Sequence, residues 1–183
     1  MPVDVRFFAP LGSLSLGELA KQTGSGLFGD EDLELTGISS AANGRRGDLG
    51  FLDGDGKSAI EINPDISALV VNDANVARIP DGIPYIISKF PRHVHGTAAV
   101  KLFRPRHLDW HGESAISPDA TIDESVKIAP GAAIAPGAVI GAGTFIGANA
   151  VIGPGVQIGR NCVIGPAATV FCALIGDHVR LLS

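Results

Sequence analysis

The chain is poor in aromatic residues, cysteine and charge. Aromatic side chains make up 5% of the 183 residues, with one Trp, one Tyr and one Met. A core built mainly on aromatic packing is therefore excluded, and burial must come from branched aliphatics. There are two cysteines, Cys162 and Cys172, spaced too widely for a metal or redox motif. Basic residues number 14 against 19 acidic ones, a net charge of −5. That balance leaves no electrostatic footprint for nucleic acid, and no basic run suggests a membrane surface. Hydrophobic residues reach 45% but never gather into a continuous apolar span. Phe7-Phe8-Ala9-Pro10-Leu11 is short and follows Asp4 and Arg6, which does not fit a signal peptide. The expectation is a cytoplasmic protein with no integral membrane segment and no nucleic-acid partner.

What the chain does have is a period of six. Branched aliphatics fall at Ile116, Ile122, Ile128, Ile134, Ile140, Ile146, Ile152, Ile158, Ile164 and Val170. Six fits neither a 3.6-residue helix nor an uninterrupted strand, so the spacing predicts a solenoid whose side repeats every hexad. Two positions before each aliphatic stands a small or medium residue, such as Ala132, Ala138, Thr144, Ala150 and Cys162. Residues two apart share one face of a strand, so both are expected to point inward. Glycine follows the aliphatic at Gly141, Gly147, Gly153, Gly159 and Gly165, where a corner with positive φ is expected. Register slips once, from Val170 to Ile175, so Phe171-Cys172-Ala173-Leu174 reads as a local irregularity. The sequence stops partway through a hexad, at Leu181-Leu182-Ser183. A solenoid needs a terminal cap, which leads us to expect the front portion of a longer protein, or a truncated product of one.

Residues 1–108 differ in texture and predict a separate α/β domain, with residues 109–183 forming the repeat. Ser15-Leu16-Gly17-Glu18 has the spacing of a capping box, predicting a helix to about Thr23 that closes near Gly24. Leu33 to Ile38 alternates and predicts a half-buried strand. Ala68–Val71 and Tyr85–Ile87 predict short buried strands. A helix is expected to open at Pro91 and run to about Phe103.

The histidines carry no obvious site. His93 and His95 are two apart, hence on different faces of the predicted helix. His107 and His111 flank Trp110, and His178 stands alone. None lies between Ile116 and Val170, whereas a zinc site in such a solenoid needs histidines converging from successive coils.

The hexads resemble the hexapeptide-repeat superfamily of left-handed parallel β-helices, which implies three-sided coils of roughly eighteen residues. The order of segments narrows the resemblance. Leu14-Ser15-Leu16-Gly17-Glu18-Leu19-Ala20 comes first, then Gly47-Asp48-Leu49-Gly50-Phe51-Leu52 and Ala68-Leu69-Val70-Val71. Pro91, Ala99-Val100-Lys101-Leu102-Phe103-Arg104-Pro105 and the repeats follow. This order is similar to the front half of the bacterial UDP-3-O-acylglucosamine N-acyltransferases of lipid A biosynthesis. The resemblance implies a homotrimer that moves an (R)-3-hydroxyacyl group from acyl carrier protein to the 2-amine of UDP-3-O-acylglucosamine. It also implies a histidine general base in an Ala-His-Asn context, and no such motif occurs in these residues. The chain alone is thus expected to be inactive, with no catalytic residue, metal or cofactor assigned.

By the same resemblance the first domain holds uridine between two aromatics. Phe51 matches the first. The family's asparagine and tyrosine positions fall on Gly54 and about Lys57, within Asp53-Gly54-Asp55-Gly56-Lys57-Ser58. Phe51 and Lys57 are the expected substrate contacts, with Phe51 equally readable as a core aromatic. The altered loop keeps a second reading open, a non-catalytic trimeric scaffold or nucleotide-sugar-binding module.

Overall fold

In the repeat, the inward aliphatics stack one coil above another. The structure, a computed structural model, describes residues 3–57, 60–111 and 114–182. It divides into two compact units, one of Val3 with residues 10–104, the other of residues 4–9 with 105–182. The sequence placed this change of texture at 108–109.

In the repeat unit, parallel two-residue strands form three ladders. One stacks Ile122, Ile140, Ile158 and Ile175, the second Ile128, Ile146, Ile164 and Leu181. The third stacks Ile134, Ile152 and Val170, with Ile116 bridged to Ile134. Partners eighteen residues apart define a three-sided coil of three hexads. The ladder from Ile134 to Val170 is buried together with the small residues Ala132, Ala138, Ala150, Val156 and Cys162. The inward pairing holds there, each buried aliphatic contributing roughly 1.5–3 kcal/mol. Ile116, in the first hexad, stays exposed.

The glycines after the aliphatics answer to space, which corrects the expected role. Positive φ falls elsewhere, at Gly131, Gly137, Gly143, Asn149, Gly155, Asn161, Ala167, Cys172 and His178. A Cβ on Gly141 would come within 2.8 Å of Gly159 backbone, and one on Gly147 within 2.5 Å of the Pro166 nitrogen. Gly153 lies beneath the Phe171 ring. The five-residue step after Val170 is where Phe171 meets both Gly153 and His107, whose ring centroid is 5.3 Å away.

Thr144 puts a polar side chain at an inward position. The Thr144 hydroxyl donates to the Gly159 carbonyl at 2.9 Å and accepts from the Cys162 amide at 3.0 Å. At comparable corners those two backbone groups bond directly, as Ala150 to Gly147 and Ala168 to Gly165 do. Insertion into a turn explains how Thr144 is buried without an unmet partner.

The other unit is an α/β layer. Strands β1 (Leu14–Ser15) and β3 (Glu34–Leu35) pair antiparallel; β2 (Gly26–Phe28), β4 (Gly37–Ile38), β5 (Asp48–Leu52), β6 (Ala68–Val71) and β7 (Tyr85–Ile87) make one sheet ordered β2-β7-β6-β5-β4. Within that sheet the β2–β7 pairing is antiparallel and the other pairings among the described residues are parallel. All four residues of β6 are buried: Ala68 and Val70 pack with helices α1 (Leu16–Thr23) and α2 (Pro91–Leu102), Leu69 and Val71 with Ala41, Leu52 and Ile66. A central parallel strand covered on both faces reads as an unbroken apolar run.

The Ser15 hydroxyl accepts from the Glu18 amide at 3.1 Å, and Gly24 closes α1 at φ 62°. The return arm of the capping box is replaced, since the Glu18 carboxylate accepts from Gln22 at 2.7 Å. The strand expected over Leu33–Ile38 is two strands in two sheets. The amides of Thr36 and Gly37 both donate to the Gly47 carbonyl, at 2.9 and 3.0 Å, and this bend carries the chain from pairing with β1 to pairing with β5.

Candidate functional site

Phe51 lies next to last on β5, in register with Val70 on β6, and packs half-buried on the helix-covered face. Two side chains of α2 reach its ring. The His95 ring centroid is 4.9 Å away at 52°, and the Arg92 guanidinium carbon is 5.8 Å from the Phe51 centroid. Residues three apart share a helical face, so one face of α2 delivers both. That spacing was readable in the sequence; what it faced was not. His93 points to solvent, on a different face as expected.

His95 is anchored through Nε2, 3.1 Å from the Leu49 carbonyl, which requires the proton on Nε2. Burial pulls its pKa below the ordinary histidine value, against opposing pulls from the backbone of Leu49 and Ser39. Its depressed folded-state pKa makes protonation favour the unfolded chain, so the stabilisation is present at neutral pH and lost as pH falls. Thermal melts of this unit are expected to drop as pH falls below about 6.5, and His95→Asn should flatten that dependence. An unchanged slope in the variant would place the titration elsewhere.

Arg92 is held by Asp53, with Nε donating to Oδ2 at 2.9 Å. Asp53 opens a tight loop. Its carboxylate accepts from the Gly54 amide at 2.8 Å, and that of Asp55 from the Lys57 amide at 3.0 Å. The Gly54 carbonyl accepts from Asn72 at 2.8 Å and from buried Asn75 at 3.3 Å. Gly54 and Gly56 have φ of 94° and 74°, and a Cβ on Gly56 would strike the Ala74 carbonyl. The segment is thus a turn pinned from behind, which is why glycines occupy it.

Lys57 leaves that turn toward water. Its side chain is 85% exposed and its ammonium is 4.0 Å from Asp55, a pair worth little in solvent. No hydrogen bond or ring contact joins it to Phe51 among the described residues. The two expected contacts are therefore not brought together; Arg92, His95 and Asp53 are what surrounds the ring. Ser58, at the end of the same motif, lies outside the described residues.

Asp53, Lys89, Phe90, Arg92 and His93 line an open cleft of about 640 Å³. Arg92 is common to the cleft wall and to the Phe51 contact. Among the described residues no three His, Cys, Asp or Glu side chains gather as a metal site, and no helix is long and apolar enough to cross a membrane.

Residues 137–172 match a family model described as bacterial transferase hexapeptide (six repeats). Over 130 residues the chain is 34% identical to a UDP-3-O-acylglucosamine N-acyltransferase of Rhizobium johnstonii, covering 68% of this chain and 36% of that protein. It is 26% identical over 125 residues to the protein of the same name from Cupriavidus taiwanensis, covering 63% of this chain and 34% of the relative. The Cupriavidus necator protein of that name is 25% identical over 125 residues, with the same coverage. The chain spans about a third of the length of the curated relatives it matches. The resemblance to hexapeptide transferases, and to this acyltransferase family in particular, is thus found both in the repeat and across about two-thirds of the chain.

Proposed function

We propose that these residues are the nucleotide-sugar-binding domain and first coils of a UDP-3-O-acylglucosamine N-acyltransferase. The observation that carries the reading is the similarity to relatives of that name across about two-thirds of the chain, with the hexapeptide match falling only within residues 137–172. In that reading the β-helix is left-handed, three chains associate, and the protein works in the cytoplasm on UDP-3-O-acylglucosamine with acyl carrier protein as donor. The substrate amine attacks the thioester carbonyl and forms an amide, the carrier's thiol departs, and a histidine removes the amine proton. Backbone amides hold the oxyanion meanwhile.

The part these residues take is binding. Phe51 offers a π-face to the uracil, and the α2 face of Arg92 and His95 fixes its position. Lys57, exposed on its turn, meets the sugar-phosphate side of the ligand in this reading. No histidine here has the Ala-His-Asn setting, so the residues by themselves supply no base. Incubated with an (R)-3-hydroxyacyl carrier protein and UDP-3-O-acylglucosamine, the chain is expected to form no amide product above background. Loss of a general base removes on the order of a hundredfold or more, and turnover near 10 per second, typical of enzymes, would show that the base has been misplaced.

The pinned Asp53–Lys57 turn, with Lys57 turned to water, favours one alternative: a trimeric scaffold that keeps the fold without nucleotide-sugar binding. Titration with UDP separates the two.

A further inference from the structure

In the repeat unit, two clefts meet at Trp110. This is the one Trp of the chain; it is half-buried, and its indole N–H meets no acceptor among the described residues. Buried indole N–H groups ordinarily find one. With Arg106 and Asp109, Trp110 lines an open cleft of about 430 Å³ at the stacked corners Pro136-Gly137 and Pro154-Gly155. Trp110 and Pro136 also line an adjoining cleft of about 270 Å³, together with Ser114, Ser117 and Asp119.

Backbone contacts with the coil hold these walls in place. Phe7 is buried in the coil core; its carbonyl accepts from the Arg106 amide at 2.9 Å, and the Val5 carbonyl accepts from Arg106 Nε at 2.8 Å. The terminal guanidinium nitrogens of Arg106 have no partner among the described residues. The Gly155 amide donates to the Pro136 carbonyl and the Gly137 amide to the Asp119 carbonyl, both at 3.1 Å. The Ser114 hydroxyl donates to the Ile116 carbonyl at 2.8 Å and keeps its acceptor pairs, while that of Ser117 accepts from the Asp119 amide at 3.2 Å and keeps its proton. Charge does not favour an anion. Arg6, also in the first lining, is matched by Asp4 at 2.6 Å, and Arg106 is balanced by Asp109 and Asp119.

We infer that the adjoining clefts bind a neutral saccharide of at least two pyranose units, with one ring lying on Trp110. The C–H face of a pyranose is apolar and electropositive, which suits the negative face of an indole. Its hydroxyls each donate and accept, matching the guanidinium donors, the carboxylates and the half-used serine hydroxyls. A flat heteroaromatic ring would leave most of those groups unmatched, and imperfectly paired polar groups cost affinity. The volumes lie near the span of small-molecule sites, roughly 300–1,000 Å³, and together leave room for a second ring. The inference does not depend on the UDP-sugar reading of the first domain.

Cellobiose and methyl β-glucoside titrated into the whole chain, read through Trp110 emission, provide the test. Inorganic phosphate and octanoate serve as the anionic and apolar comparisons. Cellobiose should change the emission saturably with a Kd of about 1 mM, as befits a small polar ligand, and the single-ring glucoside should bind about tenfold more weakly. Saturation-transfer NMR reads the variants, because it needs no fluorophore. Trp110→Ala should weaken cellobiose about tenfold and Trp110→Phe less than about threefold, the smaller ring keeping a π-face. Arg106→Lys should weaken it several-fold, since an ammonium lacks the paired donors. Circular dichroism melts accompany each variant, and Arg106→Lys carries the test if Trp110→Ala fails to fold.

No saturable change with cellobiose up to about 100 mM, a hundredfold above the expected Kd, overturns the inference. Tighter binding of phosphate or octanoate than of either sugar overturns the ligand class. Unchanged cellobiose affinity in a folded Trp110→Ala or Arg106→Lys protein places the sugar outside these clefts and overturns the inference as well. Titration with UDP reports separately on the first domain.

Discussion

Ile140→Asp is expected to unfold the β-helix near room temperature. Ile140 is 2% exposed and stacked between Ile122 below and Ile158 above. The substitution removes about 1.5–3 kcal/mol of apolar burial. It also strands a carboxylate among aliphatics, at a further cost of several kcal/mol. Against a typical total of about 5–15 kcal/mol, the sum removes most of the stability. The neighbouring substitution Val139→Asp is the control, since adjacent residues of a strand face opposite ways and Val139 is 38% exposed. It should cost less than about 1 kcal/mol. Circular dichroism melts of the two variants check the register, and equal melts would show that the inward face has been misassigned.

Phe51→Ala is expected to weaken UDP binding roughly tenfold to a hundredfold, from about 1–3 kcal/mol of base stacking. The structure complicates that variant in a specific way. Phe51 packs with the cluster under α2 and touches both His95 and Arg92, so truncation also costs about 3–5 kcal/mol of stability. Phe51→Leu keeps apolar volume while losing the π-face, and is the variant to titrate. Weaker UDP binding by a Phe51→Leu protein that melts like wild type supports the stacking role. Unchanged affinity would reduce Phe51 to a core aromatic holding the start of α2.

The solenoid was legible because a period of six involves one residue type at one interval, and each inward aliphatic is visible without its partner. The coil's eighteen-residue length came from the resemblance alone, and the stacking of Ile122, Ile140 and Ile158 agrees with it. The corner glycines were legible as punctuation and misread as conformation. Gly141 and Gly147 are dictated by backbone of the next coil, a partner eighteen residues away that local pattern does not reveal. Asn149 and Asn161 carry the positive φ instead, a role for which asparagine is the commonest substitute for glycine. In the first domain, β6 matched its buried apolar run and β7 formed where expected but buries only Ile86 fully, while Leu33–Ile38 alternated through a bend that only its bonds to the Gly47 carbonyl disclose.

In the candidate site, Phe51 and Lys57 were both named through the resemblance, Phe51 at the family's first aromatic and Lys57 by counting along a loop whose path depends on Asn72 and Asn75. Arg92 and His95 share a helical face in the sequence, yet nothing local says that this face meets β5. Side chains that converge from distant segments are set by tertiary packing, and a single sequence exposes their spacing without their target.

Calorimetric titration of UDP into the wild-type chain tests the central claim most directly. A UDP-sugar-binding domain predicts saturable binding with one site per chain and a Kd within about 1 μM to 1 mM, the span of ordinary substrate affinities. Retention of the fold by circular dichroism with no saturable heat up to several millimolar UDP would contradict the account and favour the scaffold.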